Sequence, residues 1–190
     1  IKKIFIVGYK SNQFQKYLKN IKEVSLLYNP FYSIGDNLIS TWCAKEYLFK
    51  DDFILINGDN IIGKEIEKKI LNIKKNGIFL FCRKKDNLLL DDMKVTTNHD
   101  GTLKFISKEL RTSVSNFESL GIILVKGKNN RISFMKSINL LEKSNLFFKS
   151  HWTEILNNIV EKKYVSVETI EIPKEYFFVE YDDHSDIVND

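Results

Sequence analysis

Asp52-Phe53-Ile54-Leu55-Ile56-Asn57-Gly58-Asp59-Asn60 is the stretch from which the fold reads outward. Its four consecutive apolar residues, Phe53 to Ile56, form too short a run for a helix, and two of them are β-branched. They predict a strand covered on both faces, as in a parallel sheet layered by helices. Asn57-Gly58-Asp59-Asn60 then breaks the run with turn formers, which puts Asp59 just past the carboxyl end of the strand. Ligands bind along that edge of open α/β sheets. A carboxylate there can hold a divalent cation that bridges phosphate oxygens. An ordinary turn uses the same residues, so the stretch alone leaves both readings open.

The flanking sequence gives the strand its context. Upstream, Ile4-Phe5-Ile6-Val7 is a strand closed by Gly8-Tyr9-Lys10. Residues 11–20 carry Phe14, Tyr17 and Leu18 at helical spacing, and Val24 to Leu27 is a second strand ended by Tyr28-Asn29-Pro30. Ser33 to Asn37 offers turn and cap residues before one helix bearing Leu38, Trp42, Leu48 and Phe49. The alternation of strand and helix up to residue 56 predicts parallel βαβ units.

Downstream, residues 64–75 form a charged amphipathic helix on Ile66, Ile70 and Ile73, and Gly77 to Cys82 is a buried strand. Met93–Thr97 and Leu103–Ile106 flank Asn98-His99-Asp100-Gly101, a hairpin signal that leaves His99 at an exposed tip. Leu120 to Val125 is a strand, 131–143 and 152–161 are helices, and Val165 to Ile172 is a further strand. A last apolar run, Tyr176 to Val179, ends in Glu180-Tyr181-Asp182-Asp183. No repeat or linker interrupts the pattern, so residues 1–190 read as a single α/β domain. The chain opens at Ile1 directly into a strand, and the expectation is a domain truncated at its N-terminus.

Composition narrows the function. No apolar run approaches the ~20 residues of a membrane span, and no signal peptide is visible. The formal net charge is +4, but the lysines alternate with glutamates, as in Lys64-Glu65-Ile66-Glu67-Lys68-Lys69. That is the pattern of a solvated helix face, and nucleic-acid binding is not expected. Cys43 and Cys82 lack metal-ligand spacing and are expected to pack as small apolar residues in a reducing cytoplasm. His151 and His184 stand apart from any Ser or Cys motif and read as surface residues. No glycine loop of the Walker or dinucleotide type is present.

Asp59 gains a distant partner in Asp182. Both follow an apolar strand, and two strand ends converging at one sheet edge would form a hard-cation site of the Mg²⁺ kind. The alternative is that Asp182 and Asp183 cap a helix beginning near Ser185.

Seven stretches, in order along the chain, resemble the nucleotidyltransferases that join an NTP to a phosphorylated small molecule. They are Ile4–Lys10, Asn29–Trp42, Phe53–Asp59, Asp92-Met93-Lys94-Val95, Gly101 with Ile106–Leu110, Glu118–Ile122 and Val179–Asp186. The likeness is strongest to bacterial cytidylyltransferases acting on phosphocholine and related phosphates, with the sugar-1-phosphate nucleotidyltransferases as a wider circle. The resemblance implies a doubly wound, mostly parallel sheet flanked by helices, of the glycosyltransferase-A-like kind, with a β-hairpin insertion. It implies Mg²⁺ held by Asp59 and Asp182, and the nucleotide near Asp36, Asn37 and Gly58. Lys108 would meet the acceptor phosphate, and Glu118 would help hold the acceptor.

The resemblance further implies CTP or another NTP as donor, a phosphorylated small-molecule acceptor, release of pyrophosphate, a role in decorating cell-surface glycan or lipid, and a cytoplasmic protein in which an oligomer is possible. The family's N-terminal glycine-rich phosphate loop has no counterpart here, which keeps a non-catalytic nucleotide-binding or regulatory domain in play. Tyr181 and Gly35-Asp36 also depart from the family pattern. The acceptor stays open among phosphocholine, other amino-alcohol phosphates, a phosphorylated amino acid and sugar phosphates. Tyr32, Trp152 or Tyr181 could cage a quaternary ammonium or simply belong to the core.

Overall fold

The computed structural model describes residues 1–115 and 117–181. The chain opens with β1 (Lys3–Val7), α1 (Ser11–Leu18) and β2 (Val24–Tyr28), in which β1 and β2 pair in parallel. α2 (Asn37–Cys43) and α3 (Lys45–Lys50) replace the single helix expected there, because Ala44 leaves helical geometry at φ −87 and ψ 1. β3 (Phe53–Ile56), β4 (Asn60–Ile62), α4 (Lys64–Leu71) and β5 (Gly77–Lys84) follow. β6 (Lys94–Thr97) and β7 (Leu103–Ser107) form the expected hairpin, turning at Gly101 with φ 80. The remainder is β8 (Phe117–Lys126), α5 (Lys128–Leu141), α6 (Glu154–Glu161), β9 (Val167–Glu171) and β10 (Phe178–Glu180).

The central sheet runs β7-β6-β8-β5-β9, with β3 also on β8. It is flanked by helices, as expected, but its ladders are mixed rather than mostly parallel. β8 runs antiparallel to β3, β5 and β6, while β5–β9 and β1–β2 are parallel. Strands covered on both faces read as continuous apolar runs whichever way they point, so the sequence pattern carries no direction. β1 and β2 form a two-stranded sheet of their own.

Alternate residues of β5 and β8 feed two cores. Ile78, Leu80, Ile123 and Val125 pack with Leu38 and Ile39 of α2, Phe134 and Ile138 of α5, and Ile155 and Ile159 of α6. Phe79, Phe81, Ile122 and Leu124 pack against Ile66 and Ile70 of α4. Full burial of such aliphatic side chains stabilises by about 1.5–3 kcal/mol each, so β5 and β8 anchor the molecule.

Two expectations fail at the periphery. α1 buries no residue, leaving Phe14 45% and Tyr17 79% exposed, because helical spacing defines a face without supplying a partner for it. β3 is only half covered, and Ile56 is 40% exposed.

The sheet topology creates a gap. β5 occupies one edge of β8, and the opposite edge is shared end to end by β6, at Phe117–Glu118, and β3, from Ile122 onward. Between them lies Gly121, held at φ 64. The ends of β3 and β6 therefore meet over Ser119–Gly121, and a cleft opens there.

Candidate active site

The cleft has a volume of about 300 Å³. One wall is the turn between β3 and β4. The Asn57 amide N–H donates to Gly121 O at 3.0 Å, and its side-chain Oδ1 accepts from Trp152 Nε1 at 2.8 Å. Asn60 Nδ2 donates to Leu120 O at 2.7 Å. A side chain at position 121 would stand 2.5 Å from Asn57 Nδ2 and 3.0 Å from Asn60 Nδ2, so only glycine lets the turn sit against β8. These contacts hold Gly58 and Asp59 at the rim, where Asp59 faces the cleft. A methyl group at Gly58 would meet nothing within 4 Å, so that flank of the turn is open.

β10 completes this wall. It pairs antiparallel with β4, Glu180 opposite Asn60, and the Tyr181 amide donates to Asp59 O at 3.0 Å. β4 and this pairing escape the sequence reading, because a three-residue strand has no periodicity of its own. Asp182, expected as the second metal ligand, lies outside the described residues. Glu180 lines the cleft with Asp59.

The second wall is charged. Glu118 of β8 and Asp92 of the β5–β6 loop share Lys85, whose Nζ lies 3.2 Å from Glu118 Oε1 and 2.9 Å from Asp92 Oδ1. Asp92 Oδ2 also accepts from the Leu89 amide at 2.6 Å. Burial works to raise the Asp92 carboxyl, but the Leu89 amide and the Lys85 ammonium outweigh it and hold the group below the usual range. Burial and the neighbouring Asp92 raise the Glu118 carboxyl, only partly offset by Lys85. Lys85 is itself raised: partial burial is outweighed by its two carboxylate partners. Lys108, just past β7, brings a cation to the same cleft.

The back of the cleft comes from segment 148–153 laid along the start of α2. The Asp36 amide donates to Phe148 O at 2.9 Å, and the Trp152 amide donates to Asn37 Oδ1 at 2.7 Å. Asp36 Oδ1 caps Asn37 N at 2.7 Å and lies 3.1 Å from His151 Nδ1. Asp36 thus acts on the cleft through His151 and the cap, while Asn37 lines it directly. His151 is half-buried in the lining, not on open surface as expected from its lack of a local motif. Trp152 is 2% exposed and belongs to the core, as one of its two readings had it.

Asp59, Asn37, Lys108 and Glu118, spread over four segments, therefore meet at one cleft. His151, Asn57 and Glu180 also line it, although sequence pattern assigns none of them a role there, and Lys85 stands behind the lining, bonded to Asp92 and Glu118. Among the described residues no group of three or more metal-ligating side chains occurs. Asp59 itself offers carboxylate oxygens, the kind a hard cation takes, and Mg²⁺ needs only one or two such ligands when phosphates and water complete its shell.

No protein-family model matches the sequence, and no curated protein matches it. Solved structures do. An inositol-1-phosphate CTP transferase from T. maritima superposes at TM-score 0.74 with 18% identity, over 96% of this chain and 71% of the other. A CTP:phosphocholine cytidylyltransferase from Streptococcus pneumoniae superposes at TM-score 0.73 with 20% identity, over 99% and 76%. A protein assigned as a glucose-1-phosphate thymidylyltransferase from Bacillus anthracis superposes at TM-score 0.73 with 15% identity, over 98% and 73%. The chain has the α/β fold that these nucleotidyltransferases share.

Proposed function

We propose that the protein catalyses Mg²⁺-dependent nucleotidyl transfer from an NTP, CTP by preference, to a phosphorylated small-molecule acceptor, with release of pyrophosphate. The observation that carries this reading is the convergence of Asp59, Asn37, Lys108 and Glu118 on one cleft, in a fold that solved CTP transferases also have. Decoration of cell-surface glycan or lipid is the use expected for such a product.

The acceptor phosphate would attack the α-phosphorus of the NTP in line. A phosphate monoester is already ionised near neutral pH, so the step asks the protein for positioning and charge neutralisation rather than a general base. Lys108 would orient the acceptor phosphate, and Glu118 would hold the remainder of the acceptor. Asn37, braced by the Trp152 amide, would border the nucleotide, with Gly58 leaving room for its approach. Asp59 and Asp182 would hold Mg²⁺, which when bound supplies neutralising charge to the phosphates. A cytoplasmic location fits the free thiols of Cys43 and Cys82. No helix among the described residues is long and apolar enough to cross a membrane.

The test is pyrophosphate release with a panel of NTPs and phosphorylated acceptors, with and without Mg²⁺. Wild-type turnover with CTP, reduced about 10²-fold or more in Asp59→Asn, is the expected result. CTP binding without turnover on any acceptor would replace the enzyme reading with a binding domain. Near-wild-type turnover in Asp59→Asn would remove Asp59 from the metal site.

A further inference from the structure

Lys94, the first residue of β6, is 1% exposed, yet it ends in an ammonium. Its Nζ donates to Leu90 O at 2.8 Å, Asp92 O at 3.1 Å and Lys108 O at 2.8 Å. An ammonium has three N–H donors, and here each meets a main-chain carbonyl. A buried cation is costly unless its hydrogen bonds are complete. An apolar side chain of similar length would fill the same volume but leave three carbonyls without a donor.

The carbonyls belong to two segments that no backbone ladder joins. Leu90 and Asp92 lie in the loop entering β6, and Lys108 lies in the turn leaving β7. Because Lys94 pairs with Ser107 across the hairpin, it stands where both segments depart from the sheet. Those segments carry Asp92 and Lys108 into the cleft. Lys85 and the Leu89 amide fix the Asp92 side chain, but within the described residues nothing besides Lys94 bonds the Asp92 loop to Lys108.

We propose that Lys94 is a positioning residue: its buried ammonium, chelated by the carbonyls of Leu90, Asp92 and Lys108, sets the spacing between the Asp92 loop and Lys108 and so the shape of the cleft's charged wall. The geometric part stands on these contacts alone, and the kinetic consequence rests on the nucleotidyl-transfer reading.

Hydrogen–deuterium exchange on the intact protein tests the geometry without any assay of turnover. In Lys94→Met, exchange at 88–93 and 107–110 should rise about tenfold or more, with the hairpin tip 98–102 unchanged. In Lys94→Ala, added propylammonium should reverse the increase, and it should leave wild type unaffected. Unchanged exchange at both segments in a folded Lys94→Met protein would overturn the proposal, as would a uniform rise across the chain without rescue in Lys94→Ala.

If neither variant folds, ¹⁵N spectra of wild type decide. A Lys ammonium signal protected from exchange and scalar-coupled to three carbonyls is expected, and its absence refutes the chelate. Where the wild type turns over CTP, Lys94→Met should raise KM for the acceptor about tenfold and leave KM for CTP within about twofold. An equal rise in both would refute a role confined to the charged wall. Absence of wild-type turnover would count against the nucleotidyl-transfer reading and leave the exchange result standing.

Discussion

On the β3–β4 wall of the cleft the bracing contacts join neutral groups: the Asn57 and Asn60 amides, the Trp152 indole and the β8 main chain at Leu120 and Gly121. On the facing wall Lys85, Asp92 and Glu118 form a charged cluster. The two walls do similar geometric work under different physical laws. Neutral hydrogen bonds and close packing respond weakly to pH and salt, whereas ion pairs near a surface respond to both. The Asn57 and Asn60 contacts should therefore hold across conditions that loosen the wall opposite.

The contrast breaks most severely at Gly121. Gly121→Ala forces an L residue into the left-handed region and drives a methyl group to 2.5 Å from Asn57 Nδ2. The expected loss is about 3 kcal/mol in urea unfolding, with little dependence on salt. Asn57→Ala comes next. It leaves the Trp152 indole N–H buried without its acceptor, at about 2 kcal/mol, flat across mildly acidic and neutral pH. A pH-dependent loss in either variant would show that these neutral contacts are coupled to charge.

Lys85→Met should have the smallest effect and a different shape. Asp92 is held below its ordinary range, so the stability gained through it is complete above the unfolded value of about 3.9 and is lost as pH falls through the lower folded value. Glu118 is raised, so its ionisation opposes folding and that penalty disappears in acid. Removing Lys85 should cost about 1 kcal/mol near neutral pH, discounted for its one-third exposure. The cost should shrink toward zero in acid and in high salt. A constant cost over pH 3–7 would contradict the charged wall.

How much of this could be read in the sequence depended on the range of each interaction. The strand Phe53–Ile56, the turn at Asp59 and the hairpin closed at Gly101 rest on local pattern, and all three form. The helix bearing Leu38 to Phe49 was legible as apolar periodicity, but its break at Ala44 was not. Phe14 and Tyr17 had the spacing of a buried face, but neither is buried, at 45% and 79% exposed. His151 was unreadable for the opposite reason: it enters the cleft through Asp36, a residue far back in the chain. Asn37 and Trp152 meet across 115 residues of sequence, a distance over which pattern carries no information.

The pairing of β10 with β4 also sets a schedule. The ribosome delivers residues in order, and domains can begin to fold before their last residues emerge. By the time β9 has emerged, every strand of the central sheet exists, so both cores can consolidate around β5 and β8. Asp59 must still wait for residues 178–181 before the Tyr181 amide reaches its carbonyl. During synthesis both cores can thus form before the turn at Asp59 gains its bond from Tyr181, so this side of the cleft is the last to be braced.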